Sequence, residues 1–193
     1  TYQAKRGDAK MRQQQGGQRR EEIYERHLPN LFLVEIGVVR NNRRQPRDYR
    51  LSEDAPCREI ITSESPQAAK KLVEWSEHLG KFLAGAETES EEERRSELTT
   101  SQIRKVFGEV RRLWMEAQKG WTDVLTRKVH LLIPKLEYAA RRKVAVKALR
   151  AVLVPAIREV LEGGDREEIR KRFGRFVDFF EAILAYHYAA GGK

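Results

Sequence analysis

The tightest constraint on the fold lies near the end of the chain. Phe173, Phe176, Val177, Phe180, Ile183, Leu184 and His187 recur at i, i+3, i+4 and i+7 for more than three turns, the period of a helix that buries one face. Asp165, with Glu168 three residues later, gives this helix a capping-box-like start in which Asp stands in for Ser or Thr. Leaving such side chains in water forgoes about 1.5–3 kcal/mol each, so core packing against other helices is the expected use of the stripe.

The rest of the chain supplies those helices. Ser65 before Pro66 reads as an N-cap with proline at the first helical position, where the missing amide hydrogen costs nothing. Leu72, Trp75, Leu79, Phe82 and Leu83 then continue at helical spacing to about Ala84. A second start falls at Thr99 and Thr100, followed by an apolar stripe of Ile103, Val106, Phe107, Val110, Leu113 and Trp114. Gly120 breaks that helix, and Val124, Leu125, Val129 and Leu132 carry the next one. Pro134 sets a boundary or kink. Residues 135–161 are helical in pattern, with a bend or a second helix expected at Pro155, and Gly163 and Gly164 close the segment.

No period-two alternation competes after Ser65, so the predicted class is all-α, a compact bundle of five or six helices over residues 65–193. Residues 1–64 form an N-terminal extension. Residues 1–20 are rich in Gln, Gly and Arg and read as a mobile arm. Between 21 and 62 the signals conflict: Leu31 to Val39 is an apolar run interrupted by Glu35 and Gly37, compatible with a strand, a short helix or an extension that needs a partner. Residues 85–97 are acidic, lack any apolar side chain larger than alanine, and read as a flexible loop.

Charge is unevenly placed. The formal net charge is +9, from 38 Lys and Arg against 29 Asp and Glu. Residues 100–150 hold 13 basic and 4 acidic side chains, while the other segments together cancel. Concentrated positive charge suits a phosphate backbone, because each neutralised phosphate releases a counterion and adds affinity without reading a base. At 100° per residue Arg104, Lys105, Arg111 and Arg112 fall on a face away from the apolar stripe. Lys135, Tyr138 and Arg142 share another, with Arg141 beside them and Lys143 and Lys147 following. Arginine planes and a tyrosine ring can stack on bases while the cations track phosphates. The plainer alternatives are a solvated face, or Tyr138 in the core with the arginines paired to Glu137 or a neighbouring helix.

No catalytic arrangement is legible. His27, His78, His130 and His187 lie far apart and share no metal-ligand spacing, and Glu91, Glu92 and Glu93 are consecutive rather than paired on one face. No glycine loop is placed to cradle phosphate, so catalytic residues, metal and cofactor are all predicted to be none. The single cysteine, Cys57, excludes an intrachain disulfide and fits a reducing, cytoplasmic setting. No apolar run approaches the roughly 20 residues of a membrane span, so no membrane partner is expected.

Three runs of residues carry a family resemblance. LTTSQIRKVF from Leu98, YAARR from Tyr138 and FVDFFEAILAYHYAAGGK from Phe176 resemble the small subunit of type III-A, Csm-type, CRISPR effector complexes, over about residues 65–193. The resemblance implies a helical, non-catalytic protein present in several copies along the inner face of the complex. Its expected partners are guide RNA and target RNA, the large and backbone subunits, and neighbouring copies of itself. The family's arginine after TTSQI corresponds to Arg104 and the one after the tyrosine motif to Arg142; Arg111, Arg112, Lys135 and Arg141 are added on grounds of face and charge. Residues 1–63 have no counterpart in short family members and are open to use as an extra RNA clamp or a tail for a neighbouring subunit. Two other roles compete: a helical scaffold whose Phe-rich last helix packs on a partner protein, and a DNA-binding regulator. Against the regulator, no two-helix unit with a tight turn and base-reading residues is legible.

Overall fold

The computed structural model describes residues 21–85, 99–142 and 144–192, with side chains for all of these except 142 and 145. The expected mobile arm of residues 1–20, most of the acidic loop and Lys143 lie outside the described residues.

Among the described residues, seven helices follow an N-terminal sheet: α1 (Cys57–Thr62), α2 (Pro66–Leu83), α3 (Thr100–Ala117), α4 (Asp123–His130), α5 (Leu132–Arg142), α6 (Val144–Leu161) and α7 (Arg166–Ala189). Their starts are where the caps are. The Ser65 hydroxyl accepts from the Ala68 amide at 3.1 Å and the Asp165 carboxylate from the Glu168 amide at 2.8 Å. Thr99 and Gln102 bond reciprocally, each side chain accepting from the other's backbone amide. Such caps are worth about 1 kcal/mol each. Pro134 lies in the first turn of α5, where its ring is tolerated. Pro155, in contrast, lies inside α6 and does not end it. Residues 151–157 apart from Pro155 are all buried, so packing around the helix outweighs the one backbone hydrogen bond that proline removes.

Helix α7 is the centre of the core. Phe173, Phe176, Phe179, Phe180 and Ile183 have no exposed surface. Phe180 meets Phe107 of α3 edge-on at 5.2 Å, Phe173 meets Trp121 at 5.5 Å, and Phe179 meets Trp75 of α2 at 5.0 Å. Phe179 lies outside the stripe read from the sequence, because α7 is covered by α2 as well as by α3, α6 and α1. The α2 crossing is close: a Cβ at Gly80 would lie 2.5 Å from Tyr186 Cβ and 2.7 Å from the His187 amide nitrogen. Beyond α7 the chain folds back so that Gly192 rests on the buried His187 ring, and the Thr100 hydroxyl donates to the Gly192 carbonyl at 2.8 Å. This ties the end of α7 to the start of α3 and gives the YHYAAGG run a packing role.

The all-α prediction is overturned by a three-stranded antiparallel sheet in the order β1 (Glu22–Leu28), β2 (Leu33–Arg40), β3 (Arg43–Leu51). A 3-10 turn, Pro29–Leu31, joins the first two strands, and Asn41 and Asn42, both at positive φ of 52° and 59°, form the β2–β3 hairpin turn. A bulge between Ile36 and Gly37 resets the register beside Pro46. Glu35, which interrupts the apolar run, is almost fully buried and accepts from Tyr24 Oη at 2.9 Å, Arg26 at 3.2 Å and Tyr49 Oη at 3.3 Å. Each outer strand supplies partners to the carboxylate of the middle one, so the charge is compensated only when the sheet is assembled.

Contacts with α2 and with α6 fix the sheet to the helices. The Trp75 indole donates to the Leu31 carbonyl at 2.8 Å, and Tyr49 lies edge-on to Phe82 at 6.0 Å. Along β3, the carbonyls of Arg47 and Tyr49 accept from Lys147 at 2.5 Å and Arg150 at 3.2 Å, both on α6. Arg150 also pairs with Asp48 at 2.5 Å and Glu137 at 3.6 Å. Helix α6 therefore covers one edge of the sheet and satisfies part of its backbone.

Two outcomes are expected from this packing. Gly80→Ala forces a methyl into the α2–α7 crossing and costs about 1–3 kcal/mol of stability by urea unfolding. Burial, and next the hydrogen bond to Glu35, push the Tyr24 phenol up to about 12, and burial raises Tyr49 as well. Both hold their protons more tightly folded than unfolded, so stability is full below pH 10 and falls as the pH rises from about 10 toward 12. Melting temperatures recorded from pH 9 to 11.5 should show that decline, reduced in Tyr49→Phe.

Candidate nucleic-acid interface

Helix α3 separates its faces as its period dictates. Ile103, Phe107, Val110, Leu113 and Ala117 are buried, and Arg104, Lys105, Arg111 and Arg112 are exposed on the opposite side. In their midst is Gly108, where an added Cβ would meet nothing within 4 Å. An internal helical glycine costs about 0.8–1 kcal/mol relative to alanine, and no packing among the described residues uses it here. The bare backbone leaves a shallow gap between the four cations.

The second half of the patch joins the first through carboxylates. Lys135 of α5 pairs with Glu109 of α3, and Arg112 approaches the same carboxylate at 3.8 Å. Seven residues along, Lys128 of α4 donates to Glu116 at 2.6 Å. That hydrogen bond, more than the Lys128 charge, holds the Glu116 carboxyl below its ordinary range. The reversed heptad spacing of the two pairs runs α4 and α5 antiparallel to α3 and brings their cations onto one surface. Arg111 pairs with Glu181 of α7 at 3.4 Å, whereas the Arg104 guanidinium lies 4.6 Å above the Tyr188 ring. Exposed pairs of this kind are weak and exchangeable, so the cations are positioned more than they are neutralised.

Tyr138 is 62% exposed and outside the core, and Glu137 pairs with Arg150 rather than with the α3 arginines. Arg141 is exposed as well. Of the predicted residues, Arg104, Lys105, Arg111, Arg112 and Lys135 are brought onto the joined surface, with Tyr138 and Arg141 on the same helix as Lys135. Arg142 lies in α5 without a described side chain, and Lys143 is outside the described residues. Lys128 and Tyr188 were not predicted; the seven-residue spacing of Lys128 and Lys135 was a readable signal for the first. Val124, expected in the core, is exposed, and with Leu131 and Tyr138 it makes an exposed apolar row of the same spacing.

The remaining chemistry is sparse. Among the described residues no group of three or more His, Cys, Asp and Glu side chains is arranged to hold a metal. The Cys57 thiol is pushed up to about 12, by burial first and then by Glu159, which keeps it protonated and a poor nucleophile near neutral pH. No described helix is long and apolar enough to cross a membrane. The last helix spends its four phenylalanines inside the chain, so they are not the surface that a partner protein would meet.

A family model described as Csm2 Type III-A matches residues 67–193. A protein described as CRISPR system Cms protein Csm2, from Streptococcus thermophilus, is 34% identical over 96 residues, 50% of this chain and 75% of that protein. No solved structure matches the chain significantly. The sheet lies before the matched segment, and α3 and α5 lie within it.

Because the Gly108 site is open, Gly108→Ala should stabilise the isolated chain by about 0.5–1 kcal/mol in urea unfolding, opposite in sign to Gly80→Ala. A loss of stability would mean that α3 is packed differently on this side.

Proposed function

This chain belongs to the Csm2 Type III-A family, and we propose that it is a non-catalytic structural subunit of a type III-A CRISPR interference complex that holds guide and target RNA through the basic face of α3 and α5. The role is assigned to residues 65–193, with residues 1–64 as an extension. Its partners in this reading are the large and backbone subunits and neighbouring copies of the chain.

The observation that carries the reading is the joined surface. Arg104, Lys105, Arg111 and Arg112 from one helix and Lys135 and Arg141 from another are held apart from the apolar core and linked at Glu109. Such a surface neutralises phosphates and is indifferent to base identity, since guanidinium and ammonium groups spread over two helix faces read charge rather than a donor and acceptor pattern. Exposed Tyr138, and the Arg104–Tyr188 stack, offer planar surfaces to unpaired bases without sequence preference. Gly108 lets a backbone approach α3 closely at the centre of the cations. RNA cleavage, in this reading, belongs to other subunits.

Fluorescence anisotropy with a labelled single-stranded RNA tests the reading. Affinity should be alike for polyuridylate and a mixed sequence. Replacing Arg104, Arg112 and Arg141 by Glu should weaken binding more than tenfold and make the slope of log affinity against log salt shallower by about 2, from roughly 0.7 per lost phosphate contact. Unchanged binding in that variant, with its helical circular dichroism intact, would overturn the reading.

A further inference from the structure

We infer that the β2–β3 hairpin, which the family match does not reach, forms together with Lys147 of α6 a second binding surface for the phosphate backbone of single-stranded RNA. It rests on the reading of the α3–α5 face as an RNA contact and extends that face onto the sheet.

The argument starts from how the charges are compensated. On α3 and α5 several cations have a carboxylate partner within the chain: Arg111 has Glu181, and Arg112 and Lys135 share Glu109. On the hairpin the pattern changes. From Arg40 to Arg50 there are five arginines and one acidic residue, Asp48, and Asp48 is taken by Arg150 of α6. Arg40 and Arg50 reach back to Glu21 and Glu25 at 3.3 and 3.0 Å. The Arg44 guanidinium instead lies over the Tyr24 ring at 5.5 Å, and Arg47 bonds the neutral Gln45 amide oxygen at 3.4 Å. Lys147 donates to the backbone carbonyl of Arg47. Three cations are thus positioned by a ring, an amide and a carbonyl, groups that orient positive charge without cancelling it.

Position adds to charge. Arg150 of α6 pairs with Asp48 of β3 and with Glu137 of α5, and Lys147 holds the Arg47 carbonyl, so the strand that carries Arg44 and Arg47 is fixed beside α5. The two-residue turn at Asn41 and Asn42 and the buried Glu35 fix the register of the strands that carry Arg44 and Arg47, which reduces the ordering cost when they meet a phosphate. Arg44 occupies a paired position of β3 and Arg47 the bulge three residues on, so one strand presents both guanidiniums to a polymer that passes the hairpin.

The test uses the full chain and the same labelled single-stranded RNA. Arg44→Gln/Arg47→Gln should leave melting temperature and circular dichroism nearly unchanged and make the log–log salt slope shallower by about 1.4, the effect of two lost contacts. Arg44→Lys/Arg47→Lys should keep the wild-type slope. A slope equal to wild type in the Gln variant, while the α3–α5 Glu variant still loses binding, would overturn the hairpin contact and leave the proposed function standing. If the wild-type chain fails to bind RNA at all, the proposed function falls and this inference with it.

Discussion

Helix α7 carries large apolar side chains on more than one side, and this makes the rest of the molecule necessary. Phe180 needs α3, Phe179 needs α2, and Phe173 needs the Trp121 that opens the α4 segment. Because no single neighbour covers the helix, the helices must surround it, and α6 completes the enclosure. The close crossing at Gly80 and the return of Gly192 onto His187 set how near α2 and the chain end come. The outward face of α3 follows from this arrangement: with its stripe committed to α7, its arginines have only solvent or a partner to face.

Much of the helical frame was legible because its signals are local. Caps at Ser65, Thr99 and Asp165 act within three residues of themselves, and the Phe-rich stripe is periodic. The sheet was not legible, for a reason visible in β2. Val34, Ile36 and Val38 face one side while Leu33, Glu35, Gly37 and Val39 face the other, so apolar residues fall on both faces and no alternation emerges. Glu35 read as an interruption because its partners Tyr24, Arg26 and Tyr49 come from two other strands. The Asn41–Asn42 pair was a usable hairpin signal, since both residues tolerate positive φ.

The candidate interface divides along the same line. Helical periodicity places Arg104, Lys105, Arg111 and Arg112 outside the core, and the structure agrees. Which charges meet across helices depends on tertiary packing: Lys135 and Arg112 converging on Glu109, or Arg104 lying on Tyr188, could not be read from spacing within one helix. Val124 shows the opposite error. It belongs to an apolar pattern, yet Leu125 and Val129 suffice to bury α4 and Val124 is left outside.

Taken together, the chain uses its apolar residues to enclose α7 and leaves cations exposed on α3, on α5 and on the hairpin. Photo-crosslinking of the full chain to single-stranded RNA, with the adducts mapped by mass spectrometry, tests that account most directly. Adducts are predicted on the peptides of α3 and α5, at Tyr138 among them, and on the β2–β3 hairpin, with none on the exposed residues of α2. Adducts absent from α3 and α5, or concentrated on α2, would contradict it.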